Sequence, residues 1–153
     1  MPARAVFDTH CYLRAVLRIG GFYHRLVGPD ARYLACASLA IIEEIREVLT
    51  RPELVAKFPR LLDRSDELED LLGELEVLAD PPPVQVCRDP DDDKFIACAL
   101  AAKADYLVTE DNDLLALNGY EGLRVVTPTE FLAAVGQTED NPDGPDETPR
   151  GPS

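Results

Sequence analysis

Basic residues are scarce in this chain: 15 lysines and arginines stand against 29 aspartates and glutamates, a formal net charge of −14 over 153 residues. A protein that grips nucleic acid by its phosphates usually shows a basic face, so this balance argues against tight non-specific binding of nucleic acid. It fits a basic protein partner, or a pocket whose acids are neutralised by metal. Histidine is almost missing, at positions 10 and 24, and the four cysteines at 11, 36, 87 and 98 form no C-x-x-C pair. That spacing gives little support to a structural zinc site, and reduced, mostly buried thiols are expected. No window approaches the roughly 18 apolar residues of a membrane span. The N-terminus, Met1 to Phe7, lacks the apolar stretch and cleavage site of a secretory signal, so a cytoplasmic protein with no membrane role is expected. Neither G-x-x-x-x-G-K-[ST] nor G-x-G-x-x-G occurs, which leaves a phosphate-cradling nucleotide site without support.

What is present is a globular composition, 46% hydrophobic and 29% charged, in a length that suits one domain. Ala5-Val6-Phe7 is a short apolar run ending in Asp8, followed by a helical stretch from about Tyr12 to Ile19 that stops at Gly20-Gly21. Tyr33 to Cys36 reads as a second strand. Ser38 then caps a helix with Ile41, Ile42, Ile45, Val48 and Leu49 on one face. From Pro52 to Ala79 the period stays helical, broken at Phe58-Pro59, with Leu68, Leu71, Leu72, Leu75 and Leu78 as one stripe from about Ser65. Pro81 to Pro83 end it, and Val84-Gln85-Val86 is predicted as the third strand. Lys94 to Lys103 is a helix, Tyr106 to Val108 the fourth strand and Leu123 to Val126 the fifth. Thr127-Pro128 opens a last helix with Glu130 backing the cap. A domain over 1–135 is expected, then an acidic, Pro/Gly-rich disordered tail over 136–153. Its last fifteen residues carry −4 of the net charge.

Strands alternating with helices predict an α/β fold, a central parallel sheet of about five strands covered on both faces, with ligands bound at the carboxyl ends of the strands. Asp8 closes the first strand and Asp111 lies just beyond the fourth. Asp93 opens the helix before that strand, and Glu44 lies one turn into the helix after the second. Four acids from four segments converging on one edge could not all stay ionised without a cation. Mg²⁺ or Mn²⁺, hard and oxygen-loving, resolves the conflict.

In this order and spacing, Phe7-Asp8-Thr9, the run Ser38 to Leu49, the R-D-P-x-D-D-K run from Arg88 and the V-T-x-D-x-D-L-L run from Val108 resemble the successive motifs of PIN-domain proteins. The likeness is nearest to the VapC-like toxins of toxin–antitoxin systems and covers residue 4 to about 134. It implies a Rossmann-like three-layer α/β/α sandwich, a Mg²⁺- or Mn²⁺-dependent endoribonuclease acting on RNA, neutralisation by a small antitoxin, and a homodimer. It also assigns catalytic and metal-holding roles to Asp8, Glu44, Asp93 and Asp111, with Thr109 as the hydroxyl residue before the fourth acid and Asp113 as an additional metal-site acid. Glu43 competes with Glu44, which is preferred because it immediately precedes Ile45. Asp93 is preferred over Asp91 and Asp92 because the family places its acid three residues before an inward aliphatic, here Ile96. One departure is plain: the family's Asp-Thr-Asn is Asp8-Thr9-His10 here, which bears on rate and metal preference.

Taken singly these residues have plainer readings. Asp91 to Asp93 could be a solvated helix start favoured by the dipole, Glu43 and Glu44 a surface pair, and Asp111 and Asp113 mere caps. A dehalogenase-like phosphatase would need an acid where His10 stands, and a receiver domain a lysine after a late strand. A PIN scaffold that binds protein or RNA with weak or no cleavage is the alternative that survives.

Overall fold

In the computed structural model, which describes residues 2–136, five strands form one parallel sheet in the order β3-β2-β1-β4-β5. They are β1 (Ala3–Phe7), β2 (Tyr33–Ser38), β3 (Glu76–Leu78), β4 (Tyr106–Val108) and β5 (Arg124–Val126). The helices are α1 (Thr9–Leu17), α2 (Phe22–Val27), α3 (Leu39–Val48), α4 (Pro52–Lys57), α5 (Ser65–Leu72), α6 (Asp93–Ala101), α7 (Asn112–Leu115) and α8 (Pro128–Ala134), with short 3₁₀ turns at Pro59–Asp63, Pro90–Asp92 and Tyr120–Gly122. The expected three-layer α/β/α sandwich is what forms. The expected tail lies outside the described residues, apart from Gly136.

Register sorts the sheet's two faces, because paired residues of parallel strands share a side. Ala5 pairs with Ala35 and Tyr106, and Phe7 with Val108. On that face Phe131 of α8 meets Phe7, Tyr33 and Tyr106 edge-on, with centroids 5.6, 4.7 and 5.3 Å apart, and Tyr33 donates its hydroxyl to the Leu26 carbonyl of α2. Arg4 projects to the other face, where its Nε donates to the Ala102 carbonyl at the end of α6. The three central strands are largely buried, which is why they read as apolar runs rather than alternations, while the edge strands β3 and β5 are partly exposed.

Local signals explain most boundaries. Asp8 and Ser38 cap α1 and α3 by accepting the Cys11 and Ile41 N–H groups. Thr127 and Glu130 form a reciprocal capping box with Pro128 at the first helical position. Gly20 takes the left-handed conformation (φ 83°) that lets the chain turn away after α1.

Two expectations need correction, and one helix was not foreseen. The third strand is Glu76–Leu78, paired with Cys36 to Ser38, and Val84 to Val86 is an irregular segment. Pro81 to Pro83 supply no N–H for a ladder, and the Val86 N–H is taken by a side chain instead. The leucine stripe is accordingly divided: Leu68, Leu71 and Leu72 bury on α5, Leu75 buries beyond its end, and Leu78 belongs to the strand. The short helix α2, with only Leu26 and Val27 buried and no side-chain cap, carries too few periodic residues to be read from sequence.

Candidate metal centre

The chain runs outward from β1 through β2 to β3 on one side and from β4 to β5 on the other. The crevice at the carboxyl ends of β1 and β4 is therefore the switch point, where ligands of open α/β sheets bind. Asp8 follows β1 there and Thr109 follows β4. The Thr109 hydroxyl, fully buried, donates to Asp8 Oδ2 at 2.5 Å and accepts the Asp111 N–H at 3.0 Å. One threonine thus orients the first acid and ties the loop that carries the last. Asp8 is itself 5% exposed and its other oxygen accepts the Cys11 N–H at 3.2 Å. Asp8 and Asp111 line one pocket of about 230 Å³, together with His10, Cys11, Arg14, Tyr23 and Glu110. His10, where the resemblance expects asparagine, therefore stands in the wall of the site.

Glu44 approaches from α3. Its Oε2 accepts the Thr9 hydroxyl and its Oε1 accepts Lys94 Nζ at 2.5 Å, so it is joined to the residue beside Asp8 and to the start of α6. Glu43, one residue away, is exposed, so the geometry separates the two candidates.

The third acid, Asp93, opens α6. Asp93 Oδ1 accepts the N–H groups of Val86 and Cys87 at 3.0 and 2.8 Å, and those bonds hold its carboxyl below the usual range. Through that oxygen it fastens the 84–87 segment to α6, and the Cys87 thiol beside it feels the charges of Asp93, Asp92 and Asp111 together. Asp92 instead has its carboxyl pushed up to about 6, first by partial burial and then by the negative charges of Asp111, Asp89 and Glu44, with Lys94 opposing. No motif rule singled it out. Asp113 stands 3.7 Å from Arg88, with both side chains exposed.

Among the described residues no three acidic, histidine or cysteine side chains stand together in ligating geometry. Asp8 is engaged by Thr109 and Glu44 by Thr9 and Lys94, so taking up an ion means exchanging or sharing such bonds. The donor set still fits a hard divalent cation. Its acids offer oxygen alone, and the Asp92 carboxyl is pushed up to about 6, first by partial burial and then by the neighbouring acids. The thiols are inert by comparison: burial pushes Cys11, Cys36, Cys87 and Cys98 all upward, and all four are free. No helix among the described residues is long and apolar enough to cross a membrane.

Comparison with known proteins agrees with the fold. An uncharacterised protein of Methanocaldococcus jannaschii is 29% identical over 140 residues, covering 84% of this chain and 89% of the relative. A crystal structure of PAE2754 from Pyrobaculum aerophilum superposes with a TM-score of 0.60 at 19% identity, over 88% of this chain and 90% of that one, and shows the same fold. The PIN-domain family profile matches residues 4–113, most of the chain. With the five-stranded parallel sheet and the acids at its switch point in place, the chain belongs to the PIN-domain family, whose members are generally nucleases that use divalent metals.

Proposed function

We propose that this protein is an endoribonuclease that hydrolyses RNA phosphodiester bonds with a divalent cation, Mg²⁺ or Mn²⁺, and that it is the toxin of a toxin–antitoxin pair. The observation supporting the metal-dependent part is the pair of acids at the carboxyl ends of β1 and β4: Asp8 and Asp111 line one pocket and are tied to each other through Thr109. Asp8, Asp92 and Asp111 are the residues we assign to hold the ion, with Asp92 in the place that the motif gave to Asp93. When bound, such an ion polarises a phosphodiester oxygen and acidifies water. The chain's own groups prepare for it. Thr109 holds Asp8 in one rotamer, and Asp8 also caps α1, so its position is fixed from two sides. Glu44, held by Thr9 and Lys94, is placed to orient a water at the rim rather than to surrender an oxygen to the ion.

The acid excess of −14 supports a small basic antitoxin as the partner. It also favours the second reading, a PIN scaffold whose main business is protein binding. Cleavage of a panel of single-stranded and hairpin RNAs by purified protein in Mg²⁺ or Mn²⁺, against EDTA, decides between the two. Cleavage that depends on the ion and vanishes in Asp8→Asn is expected. No cleavage of any RNA in either ion leaves the scaffold.

A further inference from the structure

We infer that Lys94 is the resident cation of the acidic centre, occupying the place a second divalent ion would otherwise take, so that the site holds one divalent ion and not two. This rests on reading the crevice as a divalent-cation site.

Lys94 is the second residue of α6, yet its side chain does not behave as a surface lysine. It is 24% exposed, its Nζ donates to Glu44 Oε1 at 2.5 Å and to the Asp91 carbonyl at 2.8 Å, and the Glu44 side chain is equally shielded. The ammonium is therefore wedged between α3 and the 3₁₀ turn that carries Asp92, with two of its three donors committed. Each Glu44 oxygen already accepts from a donor of the chain, Oε1 from Lys94 and Oε2 from the Thr9 hydroxyl, so an ion there would have to share or displace those donors. In two-ion centres the metals lie about 3.5–4 Å apart and clamp the attacking and leaving oxygens from both sides. A second ion beside Asp92 would need ligand oxygens on the Glu44 side, and both Glu44 oxygens already accept from donors of the chain.

Charge supports the same count. Asp8, Glu44, Asp92 and Asp111 carry four negative charges when ionised. Lys94 and one divalent ion leave the cluster one charge negative, whereas Lys94 and two divalent ions would leave it one positive and place like charges within a few ångströms. A fixed ammonium also differs from a metal in kind. It is a point charge that cannot be chelated away, so the centre is partly neutralised before any ion arrives.

The plain alternative is a salt bridge that ties α6 to α3 and does nothing else. Counting bound Mn²⁺ separates the two. Titrations followed by electron paramagnetic resonance are run on the full chain as wild type, Lys94→Met, Lys94→Gln and Lys94→Arg, scoring only ions that Asp92→Asn removes. Circular dichroism confirms that each variant is folded, and Lys94→Gln stands in if Lys94→Met is not. One ion in wild type and in Lys94→Arg, and two in the neutral variants, is the expected result. An unchanged count of one in the neutral variants, or two ions already in wild type, would overturn the inference and leave Lys94 as a helix tie. If wild type takes no Mn²⁺ but a neutral variant takes one, Lys94 remains the resident cation while the metal-nuclease reading falls. If none of them binds Mn²⁺, both fall together.

Discussion

The two ends of the sheet hold acids in opposite ways. At the amino-terminal end Arg4 answers every charge near it: its guanidinium donates to both oxygens of Glu76 and to the Ala102 carbonyl, and its backbone N–H donates to Asp105. The Glu76 carboxyl is held below the usual range by that hydrogen-bonded guanidinium. At the carboxyl end Asp92 is pushed the other way, by burial and by three neighbouring acids. A charge that evolution needs only for folding is given a partner from the same chain. One left under-compensated in a crevice is held ready for a ligand, and its cost to folding is the trace by which the site is found.

The largest effect should come from breaking the open end. Asp8→Asn or Asp92→Asn should lower ion-dependent RNA cleavage by about 10²-fold or more, equivalent to roughly 3 kcal/mol of transition-state stabilisation, with the fold intact by circular dichroism. If Asp92→Asn cleaves as wild type does while Asp93→Asn does not, the assignment of the third acid reverts to Asp93.

Asp93 should behave as a closed-end acid despite its address. Asp93→Ala removes the acceptor of two backbone N–H groups and should cost about 1 kcal/mol after allowing for solvent screening, read from urea denaturation at pH 7. Its folded carboxyl is depressed, so this contribution is present above the ordinary value of 3.8 and is lost as pH falls through the folded value. The gap between wild type and variant should close in acid.

For Asp92 the sign is reversed. Its folded carboxyl, at about 6, lies above the ordinary 3.8, so the folded state holds the proton more tightly, and stability falls as pH rises from about 4 through 6. Without divalent ions at pH 7, Asp92→Asn should be more stable than wild type by on the order of 1 kcal/mol, the screened fraction of that shift. Millimolar Mn²⁺ should invert the order, because wild type gains by mass action what the variant cannot. A wild type that is the more stable at pH 7 without ions would show that the crevice is not charge-stressed.

The smallest effect belongs to Arg4. Arg4→Met should lower the urea midpoint modestly, through the exposed Glu76 pair and the lost bond to Ala102, and should leave the ratio of cleavage in Mn²⁺ to cleavage in Mg²⁺ untouched. A changed ratio would join the two ends and break the comparison.

Much of this was written in local sequence. Asp8, Ser38 and Thr127 announce their helices because a short side chain that accepts an N–H three residues on is a local device, needing no distant partner. Asp8 and Asp111 were legible as candidate site residues because each follows a strand, and the carboxyl edge of a parallel sheet is fixed by chain direction alone, whereas Thr109 was singled out only by the family resemblance. The choice between Asp92 and Asp93 was not legible. One residue on a helix turns a side chain by about 100°, and which of two neighbouring acids faces the crevice depends on how α6 docks. That docking is set by the 84–87 segment, whose amides seize Asp93. The same segment looked like a strand until its proline-led chain failed to pair and Glu76 to Leu78 took the edge beside β2.

What the sequence determined by itself is the inventory: alternating elements, buried thiols, and acids at strand ends with the spacing of a family. The tertiary structure alone decided which groups pair with one another. It gave Glu44 to Thr9 and Lys94, Asp93 to the backbone, and Asp113 to the solvent edge by Arg88, and it left Asp92 short of a counter-charge. The physical reason is range. Caps, turns and periodicity act over three or four residues, whereas ion pairs and desolvation are settled between segments dozens of residues apart, as with Lys94 and Glu44, once the sheet has brought them together.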